Sequence, residues 1–277
     1  MNILDPQGPI GAAEKTILID SVGIMLAIVL PTIVAIFAFA FWFRASNRKA
    51  VHWPDWEYSG RIELVVWSVP ALTVILLGGV AWLGAHHLDP AKPIEGSSEQ
   101  LTIQAVSLDW KWLFIYPDQK VATVNTLTVP AGVPLQFQLT SASVMNAFFI
   151  PQFGSMIYTM NGMATRLNLR ADTLGTFQGL SAQFSGDGFS DMHFDVHVVP
   201  SEQFLKWAQD ASGAEKALDE RSYEEIASPS MNSEQAIYRL ADPNLFHSIV
   251  TQKLPPTKGM QAGVKGASLP AGVADAR

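Results

Sequence analysis

Two long uncharged apolar runs dominate the first third of the chain. Ser21–Phe43 holds 23 residues of mostly Ile, Val, Leu, Ala and Phe, and Leu64–Leu83 holds 20 more. At about 1.5 Å of rise per residue, each is long enough to cross a hydrocarbon layer of roughly 30 Å. Pro31 and Pro70 lie inside these runs, which membrane helices tolerate, and Trp42, Phe43, Trp67 and Trp82 sit towards their ends. After Asp89 the period changes to two: Leu101-Thr-Ile-Gln-Ala-Val, Thr126-Leu-Thr-Val, Leu135-Gln-Phe-Gln-Leu, Ala164-Thr-Arg-Leu-Asn-Leu and Met192-His-Phe-Asp-Val-His-Val all alternate. Pro130-Ala-Gly132, Gly175 and Gly186–Gly188 punctuate them. Short alternating strands between such breaks predict an all-β sandwich over 100–200. From Ser201 the spacing turns helical, with a capped start at Pro200 or Ser201 and a second helical stretch over Ser233–Lys253. The chain thus divides into an outer N-terminal segment (1–20), a first span (21–43), a loop (44–61), a second span (62–84), a linker (85–99), the sandwich (100–200), a helical extension (201–254) and a disordered tail (255–277).

Basic residues orient the two spans. The loop between them carries Arg44, Arg48, Lys49 and Arg61, whereas the outer flanks offer only Lys15 and Lys92. By the positive-inside bias the loop is cytoplasmic, so both termini and the large domain lie outside, in the periplasm of a Gram-negative cell. The first run exits into Arg44-Ala-Ser-Asn-Arg48-Lys49 rather than a small-residue cleavage site, so it reads as a membrane helix and not as a signal peptide.

Composition narrows the function. Hydrophobic residues make up 48% of the chain and charged ones 16%, in keeping with a part embedded in lipid. Net charge is −7, and Asp89–Gln252 carries eighteen Asp/Glu against nine Lys/Arg, which excludes nucleic acid as a partner. There is no cysteine, which removes disulfides, thiolate metal sites and thiol nucleophiles.

Three blocks of residues then carry a resemblance. They are Asp109-Trp-Lys-Trp-Leu-Phe-Ile-Tyr-Pro117, Ser143-Val-Met-Asn-Ala-Phe-Phe-Ile-Pro151 with Gly154 and Met160-Asn-Gly-Met163, and Gly179-Leu-Ser-Ala-Gln-Phe-Ser-Gly-Asp-Gly-Phe-Ser-Asp-Met192. Behind a membrane hairpin, from about Leu4 to Pro200, they resemble subunit II of haem-copper oxidases, whose outer domain is a cupredoxin-like sandwich. The resemblance implies where a dinuclear copper site sits in the cytochrome c oxidases of that family. Here its first histidine position holds Asn146, its two cysteine positions Ser181 and Ser185, its glutamate position Gln183 and its second histidine position Phe189, with Met192 alone retained. Copper of that kind needs soft thiolates. The substitutions fit the quinol-oxidase branch, so the resemblance implies no cofactor in this chain, haems and copper in subunit I, and partners comprising subunit I, the other oxidase subunits, lipid and, for the complex, ubiquinol. It also implies an exported chain with a lipidated cysteine just ahead of the position of Leu4, a residue the present sequence does not include.

Other residues are weighed in the same frame. Glu63 opens the second span, and the resemblance implies a role at the mouth of a proton-uptake channel; a carboxylate held at a helix N-terminus is the plainer explanation. Trp110 takes the position of the family's electron-accepting tryptophan and is read as packing. His193, Asp195 and His197 share a strand face, but the two histidines lie roughly 13 Å apart along it, too far to share an ion. His86 and His87 point about 100° apart on a helix and form a poor chelate. Met156, Met160, Met163 and Met192 read as core filling. Two alternatives remain: a cytochrome c oxidase subunit with an unusual metal site, and a free-standing, copper-free binding or assembly module.

Overall fold

The computed structural model describes residues 3–51, 53–94, 100–231 and 233–254. It forms two compact units: one runs from Ala13 to Asp89, and the other combines residues up to Ala12 with those from Pro90 onward.

The first unit is built from α1 (Pro9–Trp42) and α2 (Gly60–His87), both long and apolar enough to cross a membrane. Their large side chains, Phe37 and Trp67 among them, are exposed, as lipid-facing residues should be. Thr32 and Thr73 return their hydroxyl protons to the carbonyls of Ile28 and Val69, at 2.8 and 2.7 Å, so neither polar group is left bare. Both helices overrun the apolar stretches. α1 begins at Pro9 rather than Ser21, so residues 9–20 are helical; Glu14, Lys15 and Asp20 break the hydrophobic run without breaking a helix. α2 reaches His87, three residues into the stretch read as linker.

The second unit is a sandwich of two sheets. Its strands are β1 (Leu101–Leu108), β2 (Lys111–Tyr116), β3 (Val121–Val124), β4 (Thr126–Pro130), β5 (Pro134–Ser141), β6 (Asn146–Phe149), β7 (Met156–Thr159), β8 (Thr165–Arg170), β9 (Gly175–Ser181) and β10 (His193–Val199). One sheet runs β4-β10-β9-β6-β7. The other contains β3-β2-β1-β5-β8 and continues beyond β3 into two strands of the C-terminal extension, β12 (Ala236–Leu240) and then β11 (Ala217–Leu218). Between the sheets lies an aromatic core in which Phe148 meets the rings of Trp112, Phe114, Phe137 and Phe194 at centroid distances of 5.2 to 6.3 Å. Tyr116, fully buried, donates its hydroxyl to Thr128 O (3.0 Å) and accepts from Thr128 N (2.9 Å), tying β2 to β4; burial pushes its phenol pKa far up.

The extension departs from the sequence reading. α3 (Ser201–Ser212) follows Pro200 as expected, and α4 (Glu220–Ala227) is opened by Asp219 in a reciprocal capping box with Ser222. The stretch 233–253, expected to be helical, is instead β12 followed by the short α5 (Leu245–Val250). Ala236-Ile-Tyr-Arg-Leu pairs antiparallel with β3 and so fills an edge that would otherwise be open. Leu218, Tyr223, Leu240, Leu245, Phe246 and Ile249 then form a second core against Val106, Leu108, Leu113, Ile115, Ala122 and Val124 on the outer face of the larger sheet. That sheet is therefore buried on both sides.

The N-terminal segment also docks on the sandwich. Gln7 N donates to Gln152 O at 2.7 Å, and Asp172 N donates to Gln7 O at 2.9 Å. At Gly8 an added Cβ would fall 2.0 Å from Arg170 O, so only glycine permits this approach. The segment 255–277, read as a disordered tail, lies outside the described residues.

Candidate functional site

The loops joining β5 to β6 and β9 to β10 meet at one end of the sandwich and carry the six positions that the family resemblance aligns with a copper site. Asn146, at the start of β6, is 1% exposed, and Ser181, at the end of β9, is 2% exposed. Ser181 Oγ donates to Asn146 Oδ1 at 3.0 Å. Asn146 Nδ2 reaches Val144 O (3.2 Å) and Ser107 Oγ (3.4 Å), and the hydroxyls of Ser107 and Thr159 are 2.9 Å apart. Ser185 Oγ lies 3.9 Å from Met192 Sδ, and Met192 is itself buried in the core. Phe189 turns edge-on to Phe184, at a centroid distance of 5.6 Å. Gln183, half-buried, contributes its backbone carbonyl to Ser181 Oγ at 3.3 Å.

A copper pair would have to be held by this donor set. The set offers two hydroxyls, two amides, a phenyl ring and a single thioether, without the thiolates or imidazoles such a pair requires. Among the described residues, no group of three or more His, Cys, Asp or Glu stands close enough to hold a metal. The residues do not fit copper. Where a metal would bind, the polar atoms of Asn146 and Ser181 satisfy each other, and buried hydrogen bonds of this kind fix a loop because each is costly to leave unmade.

Trp110 holds the same loop. It occupies the tight turn between β1 and β2 at φ 64°, a left-handed conformation that is rare for a bulky residue and costs of order 1–3 kcal/mol. Its indole N–H donates to Ser185 O at 3.0 Å. The ring packs so closely on Gly188 that an added Cβ there would meet it at 2.5 Å. Its neighbours are committed too: Asp109 accepts a hydrogen bond from Ser143 Oγ, and buried Lys111 donates to Ile226 O (2.8 Å), Ser228 O (2.8 Å) and Ser230 Oγ (2.5 Å). Desolvation lowers the Lys111 pKa, and the nearby charge of Asp109 partly offsets this. Lys111 carries no role in the sequence analysis; its place between two tryptophans, at the head of an apolar strand, was the available signal.

The remaining residues lie elsewhere. Glu63 sits in the first turn of α2, its backbone N–H bonded to Ser59 O at 3.0 Å, with its side chain exposed. On the outer face of β10, His197 Nδ1 pairs with Thr176 Oγ1 at 3.1 Å and Asp195 accepts from Gln235 Nε2 at 2.7 Å, while His193 is exposed. The His86 ring lies tilted against Trp82, with centroids 4.2 Å apart. The methionines need correction: Met192 is core, but Met156 is 42% and Met163 48% exposed and Met160 is half-buried. Met156 lies on β7, the edge strand of its sheet among the described residues, and Met163 lies in the turn before β8.

Comparison with known proteins places this geometry in a family. Residues 213–255 match the model described as the COX Aromatic Rich Motif. Cytochrome bo(3) ubiquinol oxidase subunit 2 of Pseudomonas aeruginosa is 45% identical over 252 residues, covering 91% of this chain and 76% of that protein. The chain belongs to the ubiquinol oxidase subunit 2 family. Ubiquinol oxidase subunit 2 of Acetobacter aceti is 42% identical over 254 residues, covering 91% of this chain and 82% of that one. Among solved structures, the periplasmic domain of subunit II of cytochrome oxidase from Bradyrhizobium japonicum aligns over 42% of this chain and 96% of its own, at 25% identity and a TM-score of 0.40. The fold of this chain is two apolar helices followed by a two-sheet β-sandwich, and the segment matching the aromatic-rich motif is the layer that covers the larger sheet.

Proposed function

We propose that this chain is the non-redox subunit II of a proton-translocating terminal ubiquinol oxidase in a bacterial inner membrane. The complex is an oxidoreductase that oxidises ubiquinol and reduces oxygen to water. Haems and copper reside in subunit I, and this chain supplies docking surface and stability. It spans the membrane twice, with both termini and the sandwich in the periplasm, as the basic loop between the spans suggests.

One observation carries the reading: the copper-site positions are filled by a closed network of hydroxyls and amides around Asn146 and Ser181. A water-soluble one-electron donor needs a redox port near the aqueous surface, and the positions where the family places one carry neither thiolate nor imidazole here. A lipophilic donor such as ubiquinol reaches a membrane-embedded subunit directly. The purified complex is expected to consume oxygen with a short-chain ubiquinol and to show no turnover with reduced cytochrome c. Comparable rates with both donors would overturn the proposal.

Glu63 is assigned to proton uptake. An ionisable side chain at the end of a membrane helix is a functional position by default, and Glu63 stands in the first turn of α2, beside the basic loop. Glu63→Gln is expected to slow ubiquinol turnover several-fold while leaving assembly and haem content intact. Unchanged turnover and unchanged proton release per electron would contradict the assignment.

A further inference from the structure

We infer that the turn Asp109–Trp110–Lys111 is a mechanical tie that couples the C-terminal extension to the loop carrying the former metal positions, so that each orders the other without a ligand. Three consecutive residues reach three separate segments. Asp109 accepts a hydrogen bond from the Ser143 hydroxyl. Trp110 lies on Gly188 and holds Ser185 O. Lys111 closes the C-terminal end of α4, its three ammonium protons matched by Ile226 O, Ser228 O and Ser230 Oγ. Cations are favoured at a helix C-terminus, where carbonyls are left without intrahelical partners.

Strain makes the three contacts interdependent. Trp110 keeps its positive φ only while the turn is fixed from both sides, because a bulky residue there relaxes once one side lets go. Releasing Lys111 frees the turn, and a freed turn withdraws the indole from Ser185 and Gly188. Disturbing Gly188 displaces the ring and, through the turn, loosens Lys111 from residues 226–230. Coupling free energies are reciprocal, so the effect runs both ways. A second strap gives an internal comparison: Asn125 receives Trp112 N–H at 2.9 Å and donates to Ser233 O at 3.0 Å, holding the same extension one residue along β2 without involving Trp110.

Hydrogen–deuterium exchange on the full chain in its complex reads this directly, since local opening governs amide exchange. Lys111→Met is expected to accelerate exchange about tenfold at 226–230, as loss of hydrogen bonds from a charged group does. The same variant is expected to accelerate exchange at 185–189, across the sheet. Gly188→Ala should do the reverse, raising exchange at 226–230 as well as in its own loop, while amides of β5 stay at wild-type rates in both variants. Ser230→Ala, which removes one acceptor and leaves the core intact, serves where Lys111→Met does not fold and should raise both segments by a smaller factor. Exchange that rises only on the side of the substitution, in any of these variants, overturns the tie.

Discussion

A chain ending at Ser212 is expected to fail to fold its outer domain, although every strand of the two-sheet sandwich that precedes the extension is retained. Truncation strips the cover from Val106, Leu108, Leu113, Ile115 and Val124, all nearly or wholly buried on the outer face of the larger sheet. Burying such a side chain contributes about 1.5–3 kcal/mol. Five of them together rival the total stability of an ordinary domain, about 5–15 kcal/mol. The cut also opens the β3 edge that β12 closes and leaves the Lys111 ammonium without its acceptors. Limited proteolysis of membranes expressing the truncated chain should show rapid loss of the 101–199 region and no co-purification with other oxidase subunits. A protease-resistant, complex-bound truncated chain would show that the aromatic-rich motif is an accessory rather than a wall of the core.

Phe148→Ala is expected to be the most damaging single substitution in the sandwich, at about 3–5 kcal/mol. Phe148 is fully buried, stacks on Phe194 at 5.3 Å with an interplanar angle of 14°, and meets Trp112 and Phe137 at 5.2 Å. Its removal leaves a cavity at the point where both sheets converge, and four large rings cannot all collapse into it. Urea unfolding should show the midpoint falling with an unchanged slope. A loss below about 1 kcal/mol would mean that the site collapses far better than large-to-small replacements in cores usually allow.

Much of the architecture was legible because periodicity is set by which side of an element meets apolar surroundings. The two uncharged runs gave the spans, and the alternation in Leu101–Val106 and Met192–Val198 gave strands with one inner face. The third layer was not legible in the same way. Trp112, Phe114 and Tyr116 point inward while Lys111, Leu113 and Ile115 point outward, so β2 reads as one unbroken run. Such a run is the mark of a strand buried on both faces, and it signalled a cover that the helical reading of 233–253 obscured. β12 escaped because a five-residue segment pairing with a strand more than a hundred residues earlier leaves no local trace. The positions that the family resemblance aligns with a copper site, by contrast, came from matching three blocks of sequence, and the structure joins Asn146, Ser181 and Gln183 and sets Ser185 beside Met192. What residue types did not reveal was their replacement by a mutual hydrogen-bond network, because Ser107 and Thr159, which complete it, lie outside the three blocks.

Copper content decides most directly whether electrons bypass this polypeptide. The full chain, purified in detergent after expression with copper supplied, should bind no copper that survives dialysis, and its visible spectrum should be featureless. Two tightly held copper ions per chain with an intense purple absorption would contradict it, because hydroxyls, amides and one thioether give neither the affinity nor the colour of a thiolate-bridged pair.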